Sequence, residues 1–146
     1  MNTKQSNKSA GAKKATAGAP LSHGVGRRKS SVARVWLRKG SGKVMVNGKE
    51  SDSYFTTVFT RADAVTPFTV IPQAADYDAQ VNVVGGGVCS QAGAVKLAIS
   101  RALVAFNEEL RRALRAQDLL TVDSRQVERK KYGQRGARRK FQFVKR

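Results

Sequence analysis

Between Ser31 and Arg38 the chain alternates, with Ala33, Val35 and Leu37 on one side and Arg34, Trp36 and Arg38 on the other. A period of two marks a half-buried strand whose apolar row faces a core. Gly40-Ser41-Gly42 predicts a turn. Lys43–Val46 then predicts a second strand, closed by Asn47-Gly48, so that the two strands form a β-hairpin. From Tyr54 to Ala64 the pattern predicts a short helix with Tyr54, Phe55, Val58 and Phe59 turned inward, and Pro67 and Pro72 bracket an extended or irregular piece. Ala79–Val84 reads as a strand halted by Gly85-Gly86-Gly87. Beyond Gln91, the residues Val95, Ala98, Ile99, Ala102, Leu103 and Phe106 form the strongest helical stripe in the chain. Asn107 suits the cap of a second helix, with Glu108 and Glu109 in its positive first turn and Leu110, Ala113 and Leu114 buried. After Thr121 the apolar period fades. These elements predict one α+β domain, a small β-sheet backed by helices, with its first ordered element near Gly26.

Charge divides the chain in another way. The formal net charge is +18 over 146 residues, and most of it sits at the two ends. Residues 1–29 hold seven Lys or Arg and no acid, and residues 125–146 hold ten with Glu128 as their one acid, while 30–124 come to only +2. We therefore divide the chain into a disordered basic lead-in (1–23), a globular RNA-binding domain (24–124) and an extended basic tail (125–146). The last eighteen residues carry nine Lys or Arg and no acid. No core absorbs such a run, because unpaired buried ions cost more than a small domain's whole stability. The tail is either solvated or laid on a polyanion. Tyr132, Phe141 and Phe143, with Gly133 and Gly136 between them, suit a strand-like arm that follows phosphates and stacks on bases. A solubilising tail is the plainer alternative, but cations this dense beside cellular RNA favour nucleic acid.

Other classes fall away. A single cysteine, Cys89, excludes an intramolecular disulfide and suggests a reducing compartment. No stretch approaches the ~20 apolar residues of a membrane span. The N-terminus lacks a signal-peptide core, and its first arginine is Arg27, which argues against an organellar transit peptide and for the cytoplasm. Gly40-Ser41-Gly42-Lys43 fails as a phosphate loop, since Leu37 stands where the first glycine belongs and Val44 where Ser or Thr would follow the lysine. Cys89 and His23 are too few for a zinc site or a thiol–imidazole pair. Asp76 and Asp78 read as solvated loop carboxylates, and no active site, metal or cofactor is expected. Gly24-Val25-Gly26-Arg27-Arg28-Lys29-Ser30 offers flexible backbone and three cations for phosphate contact. Gly85-Gly86-Gly87, before a helix, suits either an anion or close helix–sheet packing, and both readings stay open. Trp36 suits either a base or an interface.

The motifs also resemble a known family. Gly26-Arg27-Arg28-Lys29-Ser30-Ser31-Val32-Ala33-Arg34-Val35 is similar to the opening of ribosomal protein nine of the small subunit. Gly85-Gly86-Gly87, Gln91-Ala92-Gly93-Ala94 and Ile99-Ser100-Arg101-Ala102-Leu103 resemble its central signature, and 123–133 with Ala137-Arg138-Arg139 and Gln142-Phe143 its bacterial tail. The likeness covers about 24–146 and is weakest from Thr60 to Gln80. It implies a sheet backed by helices with a left-handed βαβ unit, no enzyme activity, and a place in the head of the small ribosomal subunit among neighbouring ribosomal proteins. The candidate contacts to ribosomal RNA are then Arg27, Arg28, Lys29, Arg34, Arg125, Arg129, Lys130, Lys131, Arg135, Arg138, Arg139 and Lys140. The resemblance also implies that Lys145 and Arg146 touch the peptidyl-site tRNA. Val144 departs from the serine usual before the final Lys-Arg. Fully extended, the twenty-two residues of the tail reach at most about 70–80 Å. Two other classes share the charge: the basic protein of a tRNA-processing ribonuclease, and a DNA-compacting protein with an apolar wedge.

Overall fold

The computed structural model describes residues 19–143; the greater part of the basic lead-in and the last three residues lie outside them. Five strands form one sheet: β1 (Ser22–Arg28), β2 (Ser31–Lys39), β3 (Val44–Val46), β4 (Lys49–Glu50) and β5 (Tyr77–Val84). Their order across the sheet is β1-β2-β5-β3-β4, antiparallel except for the parallel pair β3/β5. The helices are α1 (Ser51–Tyr54), α2 (Val58–Val70), α3 (Val88–Phe106) and α4 (Arg111–Ala116), with 3-10 turns at Pro72–Asp76 and Glu108–Leu110. This is the expected α+β sheet backed by helices.

The alternation predicted for β2 holds. Ala33, Val35 and Leu37 are buried with Val44, Val46, Ala79, Val81 and Val83, all on the sheet face that meets the helices. The predicted hairpin does not form. Gly40-Ser41-Gly42 is a bend, but β5 lies between β2 and β3. Asn47-Gly48 instead joins β3 to β4, with both residues at positive φ (50° and 81°), as a two-residue hairpin turn requires. The bend itself is held by Asp78, whose Oδ1 accepts from the N–H groups of Ser41 (2.8 Å) and Lys43 (2.9 Å). Burial is the largest single influence on that carboxyl and pushes its pKa up, yet the N–H groups of Lys43, Ser41 and Gly42 together outweigh it and hold the pKa below its ordinary value.

Two further expectations fail in α2. Its buried side is Thr60, Ala64, Pro67 and Phe68, while Val58 and Phe59 are 77% and 73% exposed. The helix also runs through Pro67, which is fully buried, and ends when the Ile71 N–H reaches the Pro67 carbonyl (3.2 Å). A mid-helix proline costs on the order of 3 kcal/mol; packing of this face against α3 keeps the helix intact here.

α3 is the centre of the core. Twelve of its nineteen residues are buried between the sheet and α2. By length and apolar content it would suit a bilayer, against the expectation that no stretch approached one, but about two thirds of it lies inside the domain. Asn107 accepts from the Glu109 N–H as the predicted cap, and Leu114 is buried as expected, whereas Ala113 is exposed.

The first ordered element is β1, which starts at Ser22 rather than near Gly26. Gly24 and Gly26 face α3, and a Cβ on either would strike helix backbone, lying 2.7 Å from the Ala102 nitrogen and 2.6 Å from the Ala98 nitrogen respectively. Ala94, Ala98 and Ala102 recur every four residues and give α3 a flat seam on which the glycines lie flush. Ser22 Oγ donates to the Ala102 carbonyl and Arg101 Nη1 to the Val25 carbonyl, both at 2.8 Å, which pins strand to helix.

Candidate nucleic-acid interface

Arg27 and Arg28 end β1 and Lys29 opens the turn to β2, and the structure separates their roles. Arg27 and Lys29 are exposed. Lys29 sits at φ 54°, a left-handed conformation that L side chains rarely adopt. Arg28 is half-buried: its Nε lies 3.3 Å from Asp123, one Nη1 contact reaches Asp63 at 4.0 Å, and Nη1 donates to the Cys89 carbonyl at 3.2 Å. Lys96 on α3 pairs with the same Asp63 at 2.6 Å. Asp123 in turn accepts from the Nε and Nη2 of Arg125 at 2.9 and 2.8 Å. The side-chain bond from Arg125 is the main reason why the Asp123 carboxyl is held far below the usual carboxylate range. Arg28 and Arg125, both among the predicted RNA-contacting cations, are therefore engaged within the protein at the point where the tail leaves it. They fasten the root of the tail to β1, α2 and α3.

From residue 126 to 143 the tail has no helix and no strand. The expected strand-like arm is bent instead. Glu128 bridges Lys131 (2.9 Å) and Arg138 (2.8 Å), and its pKa is lowered first by the Lys131 bond and then by that of Arg138. Gly133 takes φ 64°, the Arg135 N–H donates to the Arg139 carbonyl at 2.9 Å, and the Arg135 guanidinium lies 5.3 Å from the centroid of Phe141. Arg129, Lys130, Arg135, Arg138, Arg139 and Lys140 are all exposed, as are Tyr132 (95%) and Phe143 (93%). Cations and flat rings thus stand together in solvent, the combination that binds single-stranded nucleic acid. Lys145 and Arg146, with Val144 beside them, lie outside the described residues.

Arg34 is exposed on the sheet face opposite the helices, one row from Arg27. The glycine run resolves toward packing. Gly85 and Gly86 have positive φ, and the space beside Gly86 is filled by the hydroxyls of Ser31 and Ser90, which hydrogen-bond at 2.7 Å. Gln91 Nε2 and Ser31 Oγ both donate to the Gly85 carbonyl at 3.0 Å, so this corner satisfies itself. Sequence reasoning missed Asp63, Lys96 and Asp123 as the partners that fix the tail root. Their one signal is Asp123 two residues before Arg125, the spacing of a local carboxylate–backbone turn, here with the Arg125 N–H at 3.0 Å. Among the described residues no three His, Cys, Asp or Glu gather where a metal ion could be held.

The family profile described as ribosomal protein S9/S16 matches residues 26–146. The chain belongs to the ribosomal protein S9/S16 family. It is 53% identical over 122 residues to the small ribosomal subunit protein uS9 of Chlorobaculum tepidum, an overlap of 84% of this chain and 95% of that relative. The uS9 protein of Cytophaga hutchinsonii is 51% identical over the same shares. That of Borreliella burgdorferi is 49% identical over 126 residues, 86% of this chain and 93% of the relative. The S9/S16 match starts inside β1 and takes in the turn, the glycine corner, the anchored root and the whole tail. Neither the ribonuclease-component reading nor the DNA-compacting reading gains any support from it.

Proposed function

We propose that this protein is a structural constituent of a bacterial small ribosomal subunit, where it binds ribosomal RNA and supports translation without catalysing a reaction. The observation that carries the reading is the family match across residues 26–146, joined to a tail whose cations stand in solvent while its root is fastened to the domain. Arg27, Lys29 and Arg34 serve as domain contacts to RNA phosphates. Arg129, Lys130, Lys131, Arg135, Arg138, Arg139 and Lys140 extend them along the tail, and Lys145 and Arg146 end it at the peptidyl-site tRNA. Arg28 and Arg125 act through position, setting the direction in which the tail leaves. Phosphate contacts of this kind ignore sequence, as a site that receives every tRNA requires. Its neighbours are the other ribosomal proteins of the head, in the cytoplasm.

Sucrose-gradient fractionation of a lysate tests the main claim, with the protein expected in the small-subunit peak and absence from it counting against the proposal. For the tRNA contact, small subunits carrying a chain without Lys145-Arg146 should assemble normally yet release peptidyl-site tRNA sooner as salt rises. Equal retention across the salt series would remove that step.

A further inference from the structure

No described helix packs on the face of the sheet turned away from α3. We propose that this face is a stacking platform for unpaired nucleotides of the RNA, centred on Trp36; the proposal rests on the RNA-binding reading above. The register places its side chains in rows. His23, Trp36, Gln80 and Met45 are neighbours across β1, β2, β5 and β3; Val25, Arg34 and Asn82 form the next row, and Arg27, Val32 and Val84 the third. Rows repeat about every 7 Å along a strand, and strands lie about 5 Å apart, so an aromatic, a guanidinium and two amides share one nucleotide-sized field. His23 and Trp36 have ring centroids 5.3 Å apart at 48°, leaving the indole half-buried beside the imidazole. Val84 is 63% exposed. Arg27, Arg34, Gln80 and Asn82 are exposed, and their side chains make no hydrogen bond or ion pair with any described residue. A hollow of about 280 Å³ opens at the end of the Trp36 row, lined by Arg38, Met45, Gly48, Asp78 and Gln80.

Charge and chemistry choose the occupant. Of the two acids on this face, Asp78 is taken up by the backbone of Ser41 and Lys43, and Glu50, opposite Met45, stands at the far β4 edge, while Arg27 and Arg34 are open to solvent on the β1 and β2 side. A protein-binding patch would centre on apolar groups depleted of charge. Here the aromatic centre is flanked by guanidinium and carboxamide groups. Rings stack on bases, guanidinium groups meet phosphates, and carboxamides present both donor and acceptor to a base edge. Three contact types at this spacing fit single-stranded RNA rather than a duplex.

Trp36 is the only tryptophan in the chain, so its fluorescence reports this face alone. The full-length protein is titrated with a single-stranded adenosine oligoribonucleotide, Trp36 emission following the face and anisotropy of a fluorescein-labelled copy following all binding. Saturable quenching in step with the anisotropy is expected. Trp36→Ala should weaken binding by about fivefold or more, the loss of one stacked base, and Trp36→Phe should stay within about twofold of the parent. Arg34→Gln, which removes a side chain with no partner in the fold, should weaken binding and reduce the salt slope by roughly 0.7–0.9. RNA binding with unmoved emission and unchanged affinity in Trp36→Ala and Arg34→Gln would overturn the platform while leaving RNA binding in place. An emission change seen only on adding other ribosomal proteins of the head would also overturn it. Absence of any anisotropy change would overturn both.

Discussion

Replacing Gly26 with alanine puts a methyl group where β1 and α3 already touch. The new carbon would lie 2.6 Å from the Ala98 nitrogen and nearer still to the Ala94 carbonyl oxygen. Both are helix backbone, so no side chain can swing aside. Ordinary contact needs about 3.4–4 Å, and the helix must therefore withdraw by roughly 1 Å, enough to forfeit a quarter to a half of each dispersion contact along the seam. Overpacking of a core costs about 1–3 kcal/mol, and this site belongs at the upper end. Alanine also restricts the unfolded chain relative to glycine, which returns roughly 0.5–1 kcal/mol. The net loss is about 2 kcal/mol, or a fall in Tm of roughly 8–16 °C for a domain of this size. Thermal unfolding followed by far-ultraviolet circular dichroism measures it, with Gly87→Ala as the control. Gly87 has φ −105° and no atom within 4 Å of a built Cβ, so that variant should lose only what an alanine N-cap costs, about 1 kcal/mol or less. Equal Tm values for the two variants would refute the flush packing of β1 on α3.

Lys29→Gly should relieve the left-handed backbone strain of about 1–2 kcal/mol, less the entropy of a glycine, for a net gain of up to about 1 kcal/mol; urea unfolding should show this alongside weaker RNA binding, and unchanged binding would remove Lys29 from the interface. Asp123→Asn breaks the tail root, whose partly solvated ion pairs contribute little to overall stability. Tm should hardly move, while trypsin should cleave after Arg125 severalfold faster than in the parent; equal cleavage rates would mean that the carboxylate does not restrain the root. For Asp78 the folded pKa is lowered, so the unfolded chain takes up the proton first as pH falls and the contribution is complete only above the unfolded value of about 3.9. The stability gap between parent and Asp78→Asn, roughly 1 kcal/mol at pH 7, should therefore shrink as pH falls from about 4 through the folded pKa. A gap that stays constant in urea titrations down to pH 2.5 or so would contradict the assigned hydrogen bonds.

The elements legible in the sequence were those whose buried face carries large apolar side chains. β2 announces itself through Val35 and Leu37, and α3 through Val95, Ile99 and Leu103, all of them buried. β1 was missed for the opposite reason. Its inward positions are Gly24 and Gly26, so the alternation exists in space but leaves no apolar mark, and the segment reads as a basic, flexible loop. In the first turns of α2 the polarity of the signal is inverted: Thr60 and Ala64 face the core, while Phe59 faces solvent, and a reading that follows the largest side chains there sets the helix in the wrong phase. The hairpin expected from β2 and β3 failed because local turn chemistry cannot report a strand that arrives thirty residues later. Tyr77–Val84 inserts between them, and no residue at 40–43 encodes that except through Asp78, whose role depends on the fold already being formed.

The same limit applies to the charges. Arg28 is indistinguishable in sequence from Arg27, and Arg125, with Asp123 two residues before it, is no more marked by a nearby acid than Arg129, which follows Glu128 directly. What separates them is position in space: Asp63 comes from α2 and Asp123 follows α4, and the two converge on Arg28 only because α3 lies flush on β1. The glycines at 24 and 26 therefore bear on function through geometry. They bring the Arg28 end of β1 close enough to α3 for one guanidinium to reach both carboxylates and the Cys89 carbonyl. A helix held about 1 Å farther off would stretch the Arg28–Cys89 bond, already at 3.2 Å, beyond hydrogen-bond reach. Gly26→Ala should thus loosen the tail root as well as lower Tm. Asp123→Asn should loosen the root alone, and that difference separates packing of the seam from fastening of the tail.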